Sequence, residues 1–406
     1  MINFSILNKL DLKPLLFQSL GRLSSQGLGF ILGVIIVNVL GLEIMGQYAK
    51  YTALINISFG VFATGIFTNY LRSNDYNLLG ETIYSTSIVM IIFLLIFGPI
   101  YVLFFDDSFL NITLILISVY FMKLSEVIVI TNRFLNIDKN AVLPRVIPYV
   151  IIIILCLLIK PNNIYKLLLI ISIGWFSVVY FFFKIKKIIV LKNHSFKKII
   201  SSSVLLSITV FSTQVYANFD QLMIMELLDA EKLGIYKIGL SFSVLAMPLV
   251  GVFSFIYISK IKEYLKGETI DLLRKKFYNQ IKINFVASFL FFLFCLFFIE
   301  NIIVFVYNIS DPSASNVVII LSLGIVFNVV SVVYSYSLLA INKDKTVLVI
   351  TLIGGLFNVI LNCIAIPRFG IIGAAVTSLL TQMLILFIYS YIFSFRLRFF
   401  EVLQNQ

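Results

Sequence analysis

Twelve long apolar runs constrain the fold of this chain more than any other feature. In a chain of 406 residues with a mean hydropathy of +1.05, they lie at about 15 to 40, 47 to 70, 82 to 105, 110 to 131, 145 to 160, 165 to 184, 199 to 228, 234 to 258, 282 to 300, 314 to 340, 347 to 366 and 370 to 395. A helix of about 20 apolar residues crosses a bilayer. The sequence therefore predicts an all-α polytopic membrane protein with 12 transmembrane helices.

The loops between these runs are too short for a catalytic domain. If each span takes about 22 residues, the connecting segments average only about 11 residues. There is no GxxxxGK[ST], HExxH or CxxC motif, and Cys156, Cys295 and Cys363 are isolated in apolar runs, while His194 lies in a lysine-rich loop. We therefore expect a membrane transporter rather than an enzyme, with no metal or cofactor and no bound ATP.

Basic residues between the spans predict the orientation, because short cytoplasmic loops are enriched in Lys and Arg. With the N-terminus inside, 23 of the 31 basic residues fall in inside segments and only Lys160, Lys232 and Arg368 in outside loops. The pattern predicts a multi-pass protein of the cytoplasmic membrane with both termini in the cytoplasm. The net charge of +12 follows from this bias and needs no nucleic-acid partner.

One inside loop differs from the others in its pattern. Residues 259–283 combine apolar side chains such as Leu265, Leu273 and Phe277 with seven basic residues. This pattern predicts an amphipathic helix on the cytoplasmic leaflet. The alternative is a solvated connector.

Two short repeats divide the chain into halves. LGLEIMGQY at 40–48 resembles LDAEKLGIY at 228–236, with Leu, Glu, Gly and Tyr at the same spacing. Asn136, Asp138 and Lys139 recur as Asn342, Asp344 and Lys345. Many transporters consist of duplicated halves with the substrate site between them. We predict two six-helix lobes, residues 1–194 and 195–406, related by a pseudo-twofold axis around a central cavity.

The first span carries a polar stripe. Arg22 and Gln26 share one helical face with Gln18, Gly29 and Gly33. The stripe is either a small-residue packing seam or the wall of a cavity in which arginine accepts an anion.

Span 7 is the most polar span, with Gln214, Asn218, Asp220 and Gln221. A charge in a span costs roughly 2.5 to 3.5 kcal/mol, so Asp220 needs a partner, a proton or a cation. Lys237 in span 8 is a candidate partner. If the repeat holds, Lys50 and Lys237 occupy corresponding places near the outer mouth, unless both extend to lipid headgroups.

Spans 4, 11 and 12 carry further polar residues. Lys123 and Glu126 are three residues apart and are expected to pair on one helical face, with Glu126 the alternative ion-coupling group to Asp220. The polar and small residues of spans 11 and 12 are expected to form interhelical contacts: Asn358, Asn362, Gly373, Thr377 and Thr381. Pro248 is expected to kink span 8.

The chain resembles the O-antigen flippases (Wzx) of the multidrug/oligosaccharidyl-lipid/polysaccharide (MOP) exporter superfamily. The resemblance covers essentially the whole chain. It rests on four segments in order: LGRLSSQGLGF (20–30), LGLEIMGQYAKY (40–51), NFDQLMIMELLDAEKLGIYKIGLSFS (218–243), and NKDKTVLVITLIGGLFNVILNCIAIPRFGIIGAAVTSLLTQ (342–382).

This resemblance implies an inner-membrane flippase for an undecaprenyl-pyrophosphate-linked oligosaccharide repeat unit. The implied cycle is alternating access driven by a proton or sodium gradient, with an O-antigen polymerase and a chain-length regulator as partners. The headgroup would then bind Arg22, Lys123, Lys50 and Lys237. The amides of Gln26, Gln214, Asn218 and Gln221 would line the cavity, and Asp220 or Glu126 would serve the coupling ion or act as counter-ion.

Three alternatives stay open. An exporter of another lipid-linked glycan, such as a capsule unit, fits the same residues. A cation-coupled multidrug extruder shares the fold, but the proton-coupled ones carry an acid in the first span, where this chain has only Arg22. A membrane glycosyltransferase or polymerase would be expected to have a longer outside loop than the ~13 residues available here.

Overall fold

The computed structural model describes residues 12–58, 63–67, 69–70, 78–105, 108–134, 142–185, 196–243, 245, 270–341 and 343–396. Within these ranges every regular element is a helix. The predicted all-α class is therefore confirmed. The chain folds into two compact units, residues 1–211 and 212–406. The division falls within one continuous helix, and the lobe boundary between residues 194 and 195 stays a prediction.

The first unit contains the helices of predicted spans 1 to 6. They are α1 (Leu12–Leu40), α2 (Leu42–Ile57), α3 (Leu79–Phe105), α4 (Phe109–Phe134), α5 (Leu143–Ile159), α6 (Ile164–Phe176) and α7 (Val178–Ile185). Residues 63–67 form a further helical turn of span 2. Predicted span 6 consists of two helices, α6 and α7, which are separated at Ser177.

Short local signals separate these helices. Gly41 separates α1 from α2. Its φ of 92° is a conformation that residues with a side chain rarely adopt. Lys160 ends α5 in the left-handed region with a φ of 46°. The side chain of Asn163 then caps α6 by accepting from the backbone N–H of Lys166.

The second unit begins within α8, at Ser212. Its helices are α8 (Phe196–Leu227), α9 (230–243), α10 (Ile270–Tyr307), α11 (Pro312–Ala340) and α12 (Asp344–Tyr391), followed by a π-helical turn (Ile392–Arg396). Pro248 lies outside the described residues, so the predicted kink of span 8 is not tested.

Six helices in the described part of the chain are long and apolar enough to cross a membrane. One of these stretches, Asp344–Ser394, contains predicted spans 11 and 12. The helix breaks at Gly370, where φ is 60° and ψ is −142°. Its two halves then lie side by side, because a Cβ on Gly354 would come within 2.6 Å of Ile385.

The segment predicted to form a separate amphipathic helix has a different structure over its described part. Residues 270–283 are the first turns of α10, which continues without a break to Tyr307. Leu273 and Phe277 are buried in a cluster with Val330, Tyr334 and Phe393 of the same unit. These two side chains pack against protein, while residues 259–269 lie outside the described ranges.

Candidate functional site

A buried carboxylate lies at the centre of the polar residues of the second unit. Asp220, on α8, is 1% exposed. Its Oδ2 accepts hydrogen bonds from the hydroxyl of Tyr236 and, at 3.4 Å, from that of Ser378. Its Oδ1 accepts from the backbone N–H of Gln221 at 2.8 Å. Three helices, α8, α9 and α12, therefore hold one acid.

A chain of side-chain amides extends from this carboxylate along α8. Asn218 donates to Gln214 Oε1 at 2.7 Å, and Gln221 donates to Asn218 Oδ1 at 3.3 Å. These residues follow one another at intervals of four and three, so they form one stripe on the helix. The predicted lining residues of span 7 are thus hydrogen-bonded to one another.

Lys237 joins this amide stripe from α9. Its Nζ donates to Gln221 Oε1 at 3.3 Å. In the described part of the chain Lys237 makes no ion pair within 4 Å, since the partner it contacts is a neutral amide. Asp220 and Lys237, predicted as partners, both contact Gln221 and interact electrostatically, and their pairing stays a prediction.

A second polar group joins the two halves of α12. Asn358 donates to Thr381 Oγ1 at 3.2 Å, and Asn362 donates to Asn358 Oδ1 at 3.0 Å. All three residues are fully buried. The predicted interhelical contact is confirmed for Asn358 and Thr381, whereas the bond of Asn362 lies within one half of α12. The half of α12 that carries Thr381 also carries Ser378, which contacts Asp220.

Lys50 is one of the cationic candidates of the first unit. Lys50, on α2, is 8% exposed, and its Nζ lies 5.9 Å from the centre of the Tyr51 ring. The Tyr51 hydroxyl accepts from Asn111 of α4 at 3.1 Å. Lys50 is therefore a buried cation beside an aromatic ring, an arrangement that stabilises the charge.

Lys123 and Glu126 form the contact predicted from their spacing. Lys123 Nζ lies 3.9 Å from Glu126 Oε1, and the Glu126 side chain is 41% exposed. Pairing reduces the capacity of this lysine to bind a further anion. The contact with Glu126 accordingly weakens Lys123 as a candidate for a headgroup contact.

The predicted stripe of α1 is only partly described. Arg22 lies within α1, but its side chain is outside the described residues. Gln26 has a buried Oε1 with no hydrogen-bond partner in the described part of the chain. Tyr149 packs against the stripe, because a Cβ on Gly29 would lie 3.6 Å from its ring.

Two residues that contact Asp220, Tyr236 and Ser378, are absent from the predicted site residues. Tyr236 stands out in the sequence only as a member of the internal repeat, and Ser378 lies in an apolar run. Their roles depend on which residues face α8 from α9 and α12. Among the described residues there is no group of three or more His, Cys, Asp or Glu side chains that could hold a metal ion.

Comparison with known proteins identifies the fold. Residues 206–364 match the MatE family model. The lipid II flippase MurJ, in an inward closed conformation, superposes with a TM-score of 0.73 at 19% identity, covering 94% of this chain and 87% of MurJ. The MATE multidrug transporter DinF-BH gives 0.72 at 15% identity, covering 94% of this chain and 95% of that transporter. The chain has the fold of these transporters.

A curated relative matches part of the sequence. An uncharacterized membrane protein of Methanocaldococcus jannaschii is 26% identical over 208 residues, which is 49% of this chain. The chain spans about half the length of that relative (48%). Over residues 206–364 the chain is thus similar to the MatE family, and its fold is that of MurJ and the MATE transporters.

Proposed function

We propose that this protein is a flippase that moves an undecaprenyl-pyrophosphate-linked O-antigen repeat unit from the cytoplasmic to the periplasmic leaflet. It would work by alternating access in the bacterial inner membrane, with both termini in the cytoplasm. The observation that carries the proposal is the environment of Lys237, a cation that is hydrogen-bonded to a neutral amide and adjoins a stripe of further amides.

This environment suits a lipid-linked sugar phosphate. A lysine that is hydrogen-bonded to a neutral amide can provide charge to phosphate oxygens, and amides both donate to and accept from sugar hydroxyls. Lys50 would supply a second buried cation in the first unit. An O-antigen polymerase and a chain-length regulator would then act on the translocated unit. The fold shared with a lipid II flippase is compatible with such a substrate.

The second candidate is a cation-coupled multidrug extruder, and the observation that favours it is Asp220. A buried acid could exchange a proton or Na⁺ for a cationic drug. Its two oxygens, however, already accept three hydrogen bonds, which reduces its capacity to bind a cation directly. An exporter of another lipid-linked glycan would use the same residues as the flippase.

Deletion of the gene in its native host tests these functions. Lipid-linked oligosaccharides would be extracted, and surface polysaccharide separated on a gel. Flipping predicts loss of long surface chains and accumulation of a complete undecaprenyl-linked unit on the cytoplasmic side, and the sugars of that unit identify the glycan. Normal polysaccharide with reduced drug tolerance would instead support the extruder. Accumulation of the unit on the periplasmic side would indicate that polymerisation is the missing step.

A further inference from the structure

An acidic residue outside the site described above has no partner for either of its oxygens. Glu81, in the first turn of α3, is 4% exposed. Among the described residues, neither Oε1 nor Oε2 has a hydrogen-bond partner. A buried carboxylate without compensating interactions is strongly unfavourable, so a residue of this kind requires a physical explanation.

Ser85, one turn further along α3, is also buried and unsatisfied within the described residues. It is fully buried, and its Oγ has no hydrogen-bond partner in the described part of the chain. Residues four apart share one face of a helix. Glu81 and Ser85 therefore place three unsatisfied oxygen atoms on the same face.

The neighbouring hydroxyls show the usual behaviour. Thr82 donates to the carbonyl of Leu78, and Thr86 donates to that of Thr82, both at 2.8 Å. Hydroxyls inside helices commonly bond to the carbonyl four residues earlier in this way. Ser85 does not make this bond and so keeps its oxygen available for another ligand.

We propose that Glu81 and Ser85 are ligands of a monovalent metal cation of the Na⁺ class. Carboxylate and hydroxyl oxygens are the donors that hard cations prefer. Divalent ions of the Ca²⁺ type normally take several carboxylates, whereas this face offers one. The site lies in the first unit and is distinct from Asp220 in the second.

A bound proton explains the geometry less well than a metal cation. Protonation would remove the charge, but it would turn one oxygen into a donor that also needs a partner. A metal cation satisfies both carboxylate oxygens and the hydroxyl at the same time. The N-terminal end of α3 favours a nearby negative charge, but its dipole gives these oxygens no hydrogen bond.

Thermal unfolding of the purified protein tests this site without any transport substrate, so its result does not depend on the proposed function. Midpoints would be compared in NaCl and in choline chloride at equal ionic strength. A ligand that binds only the folded state raises the midpoint with a saturable dependence on concentration. We expect such a rise with Na⁺ for the wild type and none for Glu81→Gln.

Three further variants make the test specific. Ser85→Ala removes one ligand and is expected to raise the half-saturating Na⁺ concentration by about fivefold or more; it also serves if Glu81→Gln does not fold. Glu43→Gln alters an exposed first-turn glutamate that accepts from Gln47, and it should respond as the wild type does. Asp220→Asn should also retain the response.

Several results would overturn the site. A wild type that unfolds identically in both salts has no such site. The same holds if Glu81→Gln keeps the saturable response, or if Asp220→Asn alone abolishes it, which would assign Na⁺ binding to the second unit. An unchanged half-saturating concentration in Ser85→Ala would remove Ser85 from the ligand set.

Discussion

The hydroxyl of Tyr236 donates a hydrogen bond to the carboxylate of Asp220, sixteen residues earlier in the chain, and ties α9 to α8. Ser378 on α12 reaches the same oxygen at a longer distance of 3.4 Å. Of these two side-chain donors, Tyr236 is therefore the closer to Asp220. The adjacent pair, Gln221 and Lys237, joins the same two helices one residue further along each. Two side-chain hydrogen bonds in adjacent positions therefore link α8 to α9.

Replacing Tyr236 by phenylalanine should destabilise the second unit. The change leaves Asp220 Oδ2 buried with only the weaker Ser378 contact, and an unsatisfied buried acceptor costs about 1 to 3 kcal/mol. Unfolding of the purified protein in detergent measures this loss. Tyr336→Phe is the matched control, since Tyr336 is 39% exposed, and it should unfold like the wild type. Equal stability of the two variants would contradict the role given to Tyr236.

Lys237 can be tested for its charge. If it contacts an anionic headgroup, Lys237→Ala should reduce complementation of a deletion strain by about tenfold or more, which corresponds to ~1.4 kcal/mol. Lys237→Arg should retain most activity, because it keeps the cation. The readout is long-chain surface polysaccharide at matched protein levels. Full activity of the alanine variant would remove Lys237 from the proposed headgroup site.

The helical segments can be predicted from hydrophobicity, but their continuity cannot. The break between spans 11 and 12 is expected between residues 366 and 370, and Gly370 is where the backbone leaves helical geometry. By contrast, residues 270–283 have the composition of an interfacial helix. Composition alone does not reveal that Phe277 packs between Tyr334 and Phe393. Such packing depends on the tertiary arrangement of α10, α11 and the segment after α12.

The candidate site is predictable where the signal lies within one helix. The spacing of Gln214, Asn218 and Gln221 indicates a polar stripe, and the structure shows these residues bonded to one another. Partners from other helices, such as Tyr236 and Ser378, cannot be predicted in this way, because one sequence does not reveal how each helix is rotated about its axis. The burial of Glu81 is equally hidden, because a single acid near the start of a span is usually exposed.

Asp311 caps α11 and should give a pH-dependent stability outside the membrane spans. Its pKa lies below the ordinary value of 3.8, chiefly because the backbone N–H of Ser313 donates to its carboxylate, with a smaller contribution from Lys232 at 3.7 Å. A carboxyl whose pKa is lowered on folding stabilises the protein above its unfolded pKa. That contribution disappears as the pH falls through the folded pKa.

Removing this cap should therefore matter at neutral pH and less in acid. Asp311→Ala should lower the free energy of unfolding by about 1 kcal/mol at pH 7. The difference from wild type should shrink below about pH 4. Asp311→Asn keeps a cap acceptor and should lose less stability at pH 7 than Asp311→Ala does. Unfolding curves at about pH 7 and about pH 3.5 measure both effects, and an equal loss for alanine at both values would contradict the mechanism.

Gly373 lies where the two halves of α12 approach each other closely. A Cβ at this position would lie 2.4 Å from the backbone oxygen of Ala365, and a backbone atom cannot move aside as a side chain can. We expect Gly373→Ala to destabilise the protein by about 1 to 3 kcal/mol, the usual range for overpacking. The same change at Gly27 in α1 meets no atom within 4 Å and should leave stability unchanged or slightly higher. Thermal unfolding of the two variants in one detergent compares them directly. If Gly373→Ala were as stable as Gly27→Ala, the close approach of the two halves at Gly373 would be wrong.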